Sequence, residues 1–312
     1  MAQCTSCKDR AAIFMRSYSG EKLCRRCFTK SIERKVQATI SKYDMLKRDD
    51  ALAVAISGGK DSTSLLHILM KIEKEFPEAR LAAVTVDEGI KGYRDEALKF
   101  AIKNCQKFGV EHNIISFTKM FGYSLDELVD MIRRKGESAL TPCAYCGVLR
   151  RRALNSAARK MRASKLVTAH NLDDETQTIL LNIMHGDVTK IARAKPVLSV
   201  VHPKLIQRIK PFCEVPEREI TFYAYLKNIE YQESPCPYAH TALRNDARSM
   251  LNRVEQSHAG TKFTIFRSIE RIRPALEAMD KKEKMHSCKL CGEPTMGKVC
   301  RPCQMLQRLN IS

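Results

Sequence analysis

The sequence contains no tryptophan, and its aromatic residues amount to 6%. Stacking along single-stranded nucleic acid needs aromatic platforms, so the shortage argues against a stacking protein and favours backbone contacts. No apolar run reaches the ~20 residues that cross a bilayer. The opening MAQCTSCKDR has no secretory signal pattern. The chain is therefore expected to be soluble and cytoplasmic, without a membrane partner. Acidic residues are also short: 35 against 54 lysines and arginines, a net charge of +19. An excess of this sign favours a polyanionic partner, because each phosphate contact releases condensed counterions. A solvated basic surface would give the same total, so charge names a class of partner but no site.

Cysteine is abundant, with 13 residues. In an intracellular chain so many are not expected to be disulfides, and their spacing sorts them into groups. Cys4-x2-Cys7 is followed after sixteen residues by Cys24-x2-Cys27, with Ile13 and Met15 alternating before YSGEKLC as in a hairpin. Near the other end, Cys288-x2-Cys291 is followed after eight residues by Cys300-x2-Cys303. Two knuckles so placed can put four thiolates around Zn²⁺, and four protein ligands leave no open position, so both sites are expected to be structural. Five cysteines remain. Cys143-x2-Cys146 stands near a helix start, where the helix dipole and Arg150, Arg151 and Arg152 favour thiolates. Cys236, between Pro235 and Pro237, is held on a rigid loop and could add a third thiolate. Three thiolates suit an iron–sulfur cluster with one iron left open, or thiol redox and sulfur handling; inert cysteines are the plain alternative. Cys105 and Cys213 lie in apolar-periodic contexts and read as buried small hydrophobes.

Between the two zinc modules strand and helix patterns alternate. Strands are expected at Leu52–Ile56, Leu81–Val86, Glu111–Ser116, Lys165–Thr168 and Leu205–Ile209. Helices are expected at Ile32–Leu46, Asp61–Phe76, Arg94–Phe108, Ser124–Lys135, Cys146–Arg162, Asp173–His185, Pro216–Asn228, Ala247–Gln256 and Phe263–Ala278. This succession implies an α/β fold, a parallel sheet with helices on both faces, flanked by the two small zinc modules. The expected units are a zinc module (1–31), a connecting helix (32–50), a catalytic domain (51–235), a helical extension (236–285) and a zinc ribbon (286–312). Ligands of such sheets bind beyond the carboxyl ends of the strands. Polar loops collect there: Ser57–Ser62, Asp87-Glu88-Gly89, and Ala169-His170-Asn171 with Asp173-Asp174.

The first of these loops, SGGKDS, is preceded by a strand and followed by a helix. Unpaired backbone N–H groups and the helix dipole make an anion site there. It is not a Walker A loop, since Lys60 is followed by Asp61 and the G-x4-G-K-[ST] spacing is missing. It resembles the PP-loop, the pyrophosphate-binding signature of the N-type ATP pyrophosphatases. The resemblance implies cleavage of ATP between its α and β phosphates, with adenylation of a carbonyl oxygen. Ser57, Ser62 and the Gly58 and Gly59 amides would then hold pyrophosphate with Mg²⁺.

SGGKDST, VDEGIKGYRDE, CAYCGVLRRRAL, TAHNLDDETQT and the flanking cysteine modules together resemble the tRNA 2-thiouridine synthetases of the TtuA-like and cytosolic thiouridylase type. The likeness covers essentially the whole chain. It implies that ATP activates O2 of a tRNA uridine, AMP leaves and sulfur takes the place of oxygen. It also implies an iron–sulfur cluster, [4Fe–4S], on Cys143, Cys146 and Cys236, with sulfide or a sulfur-carrier protein as donor and a homodimer as the assembly. The implied nucleotide-binding set is Ala55, Ser57, Gly58, Gly59, Asp61, Ser62, Asp87, Ala169 and Asp174. Asp174 matches an acidic residue with a catalytic role. Arg150 stands where TtuA-like enzymes often have lysine; an arginine cannot readily exchange a proton, so Arg150 suits charge stabilisation. Arg159, Lys160, Arg162 and Lys165 could join the arginine run in contacting tRNA phosphates, or form a solvated face. DEGIKGYRD, CGVLRRRAL and MLQRLN stand closer to the wobble-uridine branch than to the T-loop branch. The rivals are a 2-thiocytidine or lysidine synthetase, and a non-catalytic zinc-ribbon RNA-binding protein. Lysidine synthesis leaves three cysteines unexplained, and the zinc modules disfavour the cytidine enzyme.

Overall fold

The computed structural model describes residues 2–75, 78–136, 140–239, 243–279 and 285–311. Its centre is a five-stranded, wholly parallel sheet of β3 (Ala51–Ala55), β4 (Arg80–Asp87), β5 (His112–Ser116), β6 (Lys165–Val167) and β7 (Gln207–Ile209), in the spatial order β5-β4-β3-β6-β7. β3, β4 and β5 progress to one side, whereas β6 and β7 lie on the other. The strand order therefore reverses between β3 and β6, and a crevice opens at their carboxyl ends. All five strands stand within a few residues of their expected positions.

The strands are apolar runs because both faces are covered. One face carries α2 (Lys60–Glu73), α9 (Glu217–Leu226) and α1 (Arg25–Lys42), with Leu65, Leu66, Ile220, Tyr223, Phe28 and Ile32 in a single core. Each such side chain contributes about 1.5–3 kcal/mol on burial. α6 (Pro142–Lys160) covers the other face, setting Ala157 and Ala158 against Ala53, Val84 and Leu166. Small residues on both sides let this helix sit close to the sheet. α3 (Tyr93–Phe108) follows β4, and α5 (Leu125–Arg134) is fixed by a Ser124–Glu127 capping box. α7 (Leu172–Met184) follows β6, and α10 (Arg244–Ser257) and α11 (Thr261–Met279) pack on its outer side.

The two zinc modules share one plan. In the first, β1 (Phe14–Met15) and β2 (Lys22–Leu23) form the expected hairpin, and Cys24 is the N-cap of α1. In the second, β8 (His286–Ser287) and β9 (Pro294–Thr295) pair, and Cys300 caps α12 (Arg301–Arg308). Each second knuckle thus opens a helix, so α1 starts at Arg25 rather than at the expected Ile32. The first module docks through Arg16, whose Nη2 lies 2.9 Å from Glu219 Oε2 on α9. The second docks on α6 and the 193–208 segment, as described below.

Three helices escaped the sequence reading. They are α4 (Phe117–Phe121), α8 (Val188–Arg193) and α12, of 5, 6 and 8 residues, all too short to show a helical period. The expected boundary Met279–Ser287 and the end of the second expected helix at Phe76 fall partly outside the described residues.

Candidate active site

The loop after β3 turns on Gly58, whose φ is +86°; a Cβ there would stand 2.1 Å from the Ala97 carbonyl oxygen of α3. Gly59 has ordinary φ and caps α2. The serines tie the loop together. Ser62 Oγ accepts from the Ser57 amide at 3.1 Å and donates to the Gly59 carbonyl at 3.1 Å, and Ser57 Oγ accepts from the Gly59 amide at 3.3 Å. Lys60 Nζ pairs with Glu217 at 2.7 Å and lies 3.4 Å from Asp61 Oδ2. Asp61 Oδ1 is buried with no hydrogen-bond partner. Burial pushes the Asp61 carboxyl up to about 7; Lys60 opposes the rise, and Asp174 and Glu217 add to it. A buried, unpartnered carboxylate oxygen among other carboxylates beside a glycine turn has the donor chemistry of a Mg²⁺ ligand.

Asp174 is half-buried, and its desolvation raises its pKa; the Asn171 amide, donating to Oδ2 at 3.1 Å, opposes this. Ala169 is half-buried and packs against the main core. Asp87 Oδ1 accepts from the Gly89 amide at 2.9 Å and fixes the turn after β4. The residue beside it, Glu88, is not among the site residues expected from the sequence. Glu88 is buried and ion-pairs with Arg94 Nε at 2.9 Å and Arg150 Nε at 2.6 Å. Arg94 in turn donates to the carbonyls of Ser57 (2.8 Å) and Val86 (2.5 Å). Glu88 therefore joins the glycine loop to α6. A cavity of about 90 Å³ lies here, lined by Ala55, Ser57, Glu88, Tyr93, Arg94 and Arg150.

Arg150 faces two ways, because its Nη2 donates to Cys146 Sγ at 2.9 Å. Burial would lower its pKa, but Glu88 and Cys146 outweigh this and raise it. Cys143 and Cys146 share one face of the first turns of α6, after the Thr141 cap and Pro142. Burial pushes the Cys146 thiol up to about 11, against the pull of Arg150, and also raises that of Cys143. The Cys236 charge acts on both cysteines and on Tyr93. The chain leading to Cys236 is anchored at the glycine loop, where the Gln232 amide donates to the Gly58 carbonyl at 3.0 Å and Gln232 Nε2 to the Tyr93 carbonyl at 2.6 Å. Beyond it, the Tyr238 carbonyl accepts from Cys143 Sγ at 3.3 Å, and Tyr238 Oη donates to Asp126 on α5 at 2.7 Å. Cys236 packs in the same core as Tyr145 and Cys146. Cys213 is fully buried in the other core, beside Phe212 and Val215, and Cys105 is sealed in α3.

The PP-loop domain model matches residues 28–255. A probable sulfurtransferase of Methanocaldococcus jannaschii is 36% identical over 97% of this chain and 87% of its own length. The tRNA 2-thiolation protein NcsA of Haloferax volcanii is 33% identical over 98% of this chain and 99% of its own. Among solved structures, the U34-tRNA thiolase NcsA of Methanococcus maripaludis with its [4Fe-4S] cluster superposes with a TM-score of 0.85 and 34% identity, over 99% of this chain and 97% of that one. The chain belongs to the PP-loop tRNA 2-thiolation family.

The metal sites fit a member of that family. Among the described residues, the groups of His, Cys, Asp or Glu ligand atoms lying within 4.8 Å of one another are Cys4, Cys7, Cys24, Cys27 and Cys288, Cys291, Cys300, Cys303. Cys7 and Cys24 sulfurs are 3.8 Å apart, and Cys291 and Cys300 sulfurs 3.5 Å. A tetrahedral zinc with bonds of about 2.3 Å sets its sulfurs about 3.8 Å apart. The Cys143, Cys146 and Cys236 sulfurs lie outside that 4.8 Å limit as a set. The Cys236 charge acts on the other two, but the three do not form a set close enough for one zinc ion. In a cubane cluster the three sulfurs would sit on three different irons and need not come so close.

Proposed function

We propose that this chain is an ATP-dependent tRNA 2-thiouridine synthetase that acts on a wobble uridine. One observation supports the reading: Cys146 is tied to the glycine loop through Arg150, Glu88 and Arg94, and the segment leading to Cys236, which packs in the same core as Cys146, is anchored on that loop by Gln232. The reading draws further support from the tRNA 2-thiolation names of the family's members and from the net charge.

In this reading the Ser57–Ser62 loop receives the β and γ phosphates, with Gly58 and Gly59 allowing the close approach of backbone to phosphate. Asp61, with Asp174 beside it, holds Mg²⁺, and Ala55, Asp87 and Ala169 border the nucleotide. ATP is split between its α and β phosphates, AMP passes to the uridine O2, and a poor leaving group becomes a good one. Arg150 stays cationic through the cycle and stabilises negative charge on the departing AMP oxygen; it moves no proton. Cys143, Cys146 and Cys236 hold the cluster, which supplies a Lewis-acidic iron where sulfide can bind. The C2–O bond breaks as the C2–S bond forms, and AMP carries the oxygen away. The sulfur comes from sulfide or a sulfur-carrier protein, and a homodimer is the working assembly by family analogy.

The test is anaerobic incubation of the reconstituted protein with a tRNA transcript, ATP and sulfide, followed by mass spectrometry of the nucleosides. The reading expects 2-thiouridine at the wobble position and one AMP per sulfur. Thiolation in the T-loop would move it to the other branch, 2-thiocytidine would replace it, and tRNA binding without AMP release would leave a non-catalytic RNA-binding protein.

A further inference from the structure

The arginine run of α6 is divided by helix geometry. Each residue is turned by about 100° from the last, so three consecutive guanidiniums reach three places. Arg150 goes to Glu88 and Cys146. Arg152 donates to Cys291 Sγ at 3.2 Å, and Arg159 binds Glu293 Oε1 at 2.7 Å. With Lys204, which donates to the Gly292 carbonyl at 2.6 Å, these two fasten the C-terminal zinc module. Arg151, between them, has no ion-pair partner among the described residues.

Arg208 on β7 has no side-chain partner among the described residues either, and its Nε is buried without an acceptor. The Nε atoms of Arg94 and Arg152 also lack a hydrogen bond, but those guanidiniums donate through Nη to Ser57, Val86 and Cys291. The cations among the molecule's buried residues all have acceptors: Arg16 at Glu219, Arg94 at Glu88, Lys210 at Glu175, Lys262 at Asp173, and Arg273 at the carbonyls of Ile191 and Ala194. Burial and the nearby Arg151 lower the Arg208 pKa to about 10, and burial and Arg150 lower that of Arg151. Both charges also act on His170 at the carboxyl end of β6. Arg208 is half-buried and Arg151 exposed, and a partly desolvated cation without a counter-charge is well placed to receive an anion.

Both arginines line a cavity of about 840 Å³ between α6, the 193–208 segment and the C-terminal zinc module. That volume lies within the ~300–1,000 Å³ of small-ligand sites. Its other walls include Val148, Leu198, Leu205, Met296 and Pro302, an apolar surface suited to a base face. We infer that this groove binds one nucleotide of the RNA strand beside the target uridine, with its phosphate on Arg151 and Arg208 and its base against the apolar wall. The inference rests on the RNA-thiolation reading and gives the C-terminal zinc module a role in it, as one wall of the subsite. A phosphate could also come from ATP, and the experiment separates the two sources.

The full chain, zinc-loaded and reconstituted anaerobically, is titrated against a fluorescent unmodified tRNA between 50 and 200 mM salt, and separately against α,β-methylene-ATP by calorimetry. Arg208→Gln and Arg151→Gln are each expected to raise the tRNA Kd about tenfold and to reduce the salt slope by about 0.9. Arg208→Lys should restore the slope, and the nucleotide Kd should stay within about twofold throughout. Met296→Glu, on the opposite wall, should weaken tRNA binding similarly while leaving both arginines in place. Unchanged tRNA binding in Arg208→Gln and Met296→Glu would overturn the inference, with the thiolation reading intact if the parent protein still thiolates. Loss of nucleotide binding with tRNA binding preserved would assign the arginines to ATP and overturn it too. A parent protein that neither binds nor thiolates tRNA would remove both readings together.

Discussion

Gly58 and Gly59 are neighbours, yet an added methyl group should have opposite consequences at the two. At Gly58 the backbone has φ +86°, and a Cβ would meet Ala97 O, C and Cα at 2.1, 2.8 and 2.9 Å. None of these atoms is a flexible side-chain end. Strained backbone costs about 1–3 kcal/mol and overpacking about 1–3 kcal/mol, so Gly58→Ala should destabilise by roughly 2–6 kcal/mol unless the loop moves. Moving the loop would break the Gln232–Gly58 hydrogen bond of 3.0 Å and so loosen the segment that carries Cys236. At Gly59 the nearest atom to a Cβ is Ser57 Oγ at 3.4 Å, and loss of a glycine cap costs about 1 kcal/mol or less. Urea unfolding of the zinc-loaded protein, followed by circular dichroism, gives the two stabilities; iron-cluster absorbance gives the second effect. The expectation is a large loss and a bleached cluster for Gly58→Ala, and near-parent stability for Gly59→Ala. Equal stability of the two variants would refute the claim that contact with α3 dictates the glycine at 58.

Other outcomes follow from the same geometry. Cys236→Ala and Cys143→Ala should each remove the cluster's visible absorbance, while Cys213→Ala, altering a residue sealed in the other core, should keep it; a bleached Cys213 variant would contradict the ligand set. Asp61→Ala and Ser62→Ala should abolish tRNA-dependent AMP release while tRNA still binds, and turnover in both would remove the glycine loop from the chemistry. Glu88→Gln should uncouple Arg94 from Arg150 and cost about 3–5 kcal/mol, the usual result of breaking a buried ion pair, as read by urea unfolding. His67 is held neutral, with its pKa lowered to about 4 by burial and then by Lys71 and Lys227. The unfolded chain takes up a proton near pH 6.5 that the folded one refuses until about 4, so stability should fall as pH drops across that window. His67→Gln should flatten the fall, and an unchanged pH profile would contradict the assignment.

Much of this was legible in the sequence, and what was not has physical causes. The parallel sheet showed itself because strands buried on both faces are short apolar runs ending in polar loops, as Ala51–Ala55 and Arg80–Asp87 do. The zinc modules were legible because CxxC pairs are local. The proposed third cluster cysteine lies ninety residues from the second, and packing favours Cys236 over Cys213: the first shares a core with Cys146, the second does not. Glu88 was hidden between Asp87 and Gly89, because strand geometry sends adjacent side chains to opposite faces. Arg150, Arg151 and Arg152 are identical letters, and helix rotation alone gives them a catalytic cleft, an open groove and a zinc module. Arg208 gave no signal, since a missing partner cannot be seen in a string of residues.

The most direct test of the central claim, that three thiolates hold a cluster beside the nucleotide loop, is anomalous diffraction at the iron edge from anaerobically grown crystals of the reconstituted protein. The account predicts an iron peak bounded by the Cys143, Cys146 and Cys236 sulfurs, open on the side of Arg150 and Ser57. Iron density at the Cys4–Cys27 or Cys288–Cys303 sites alone, or a cluster that leaves Cys236 unbound, would contradict it.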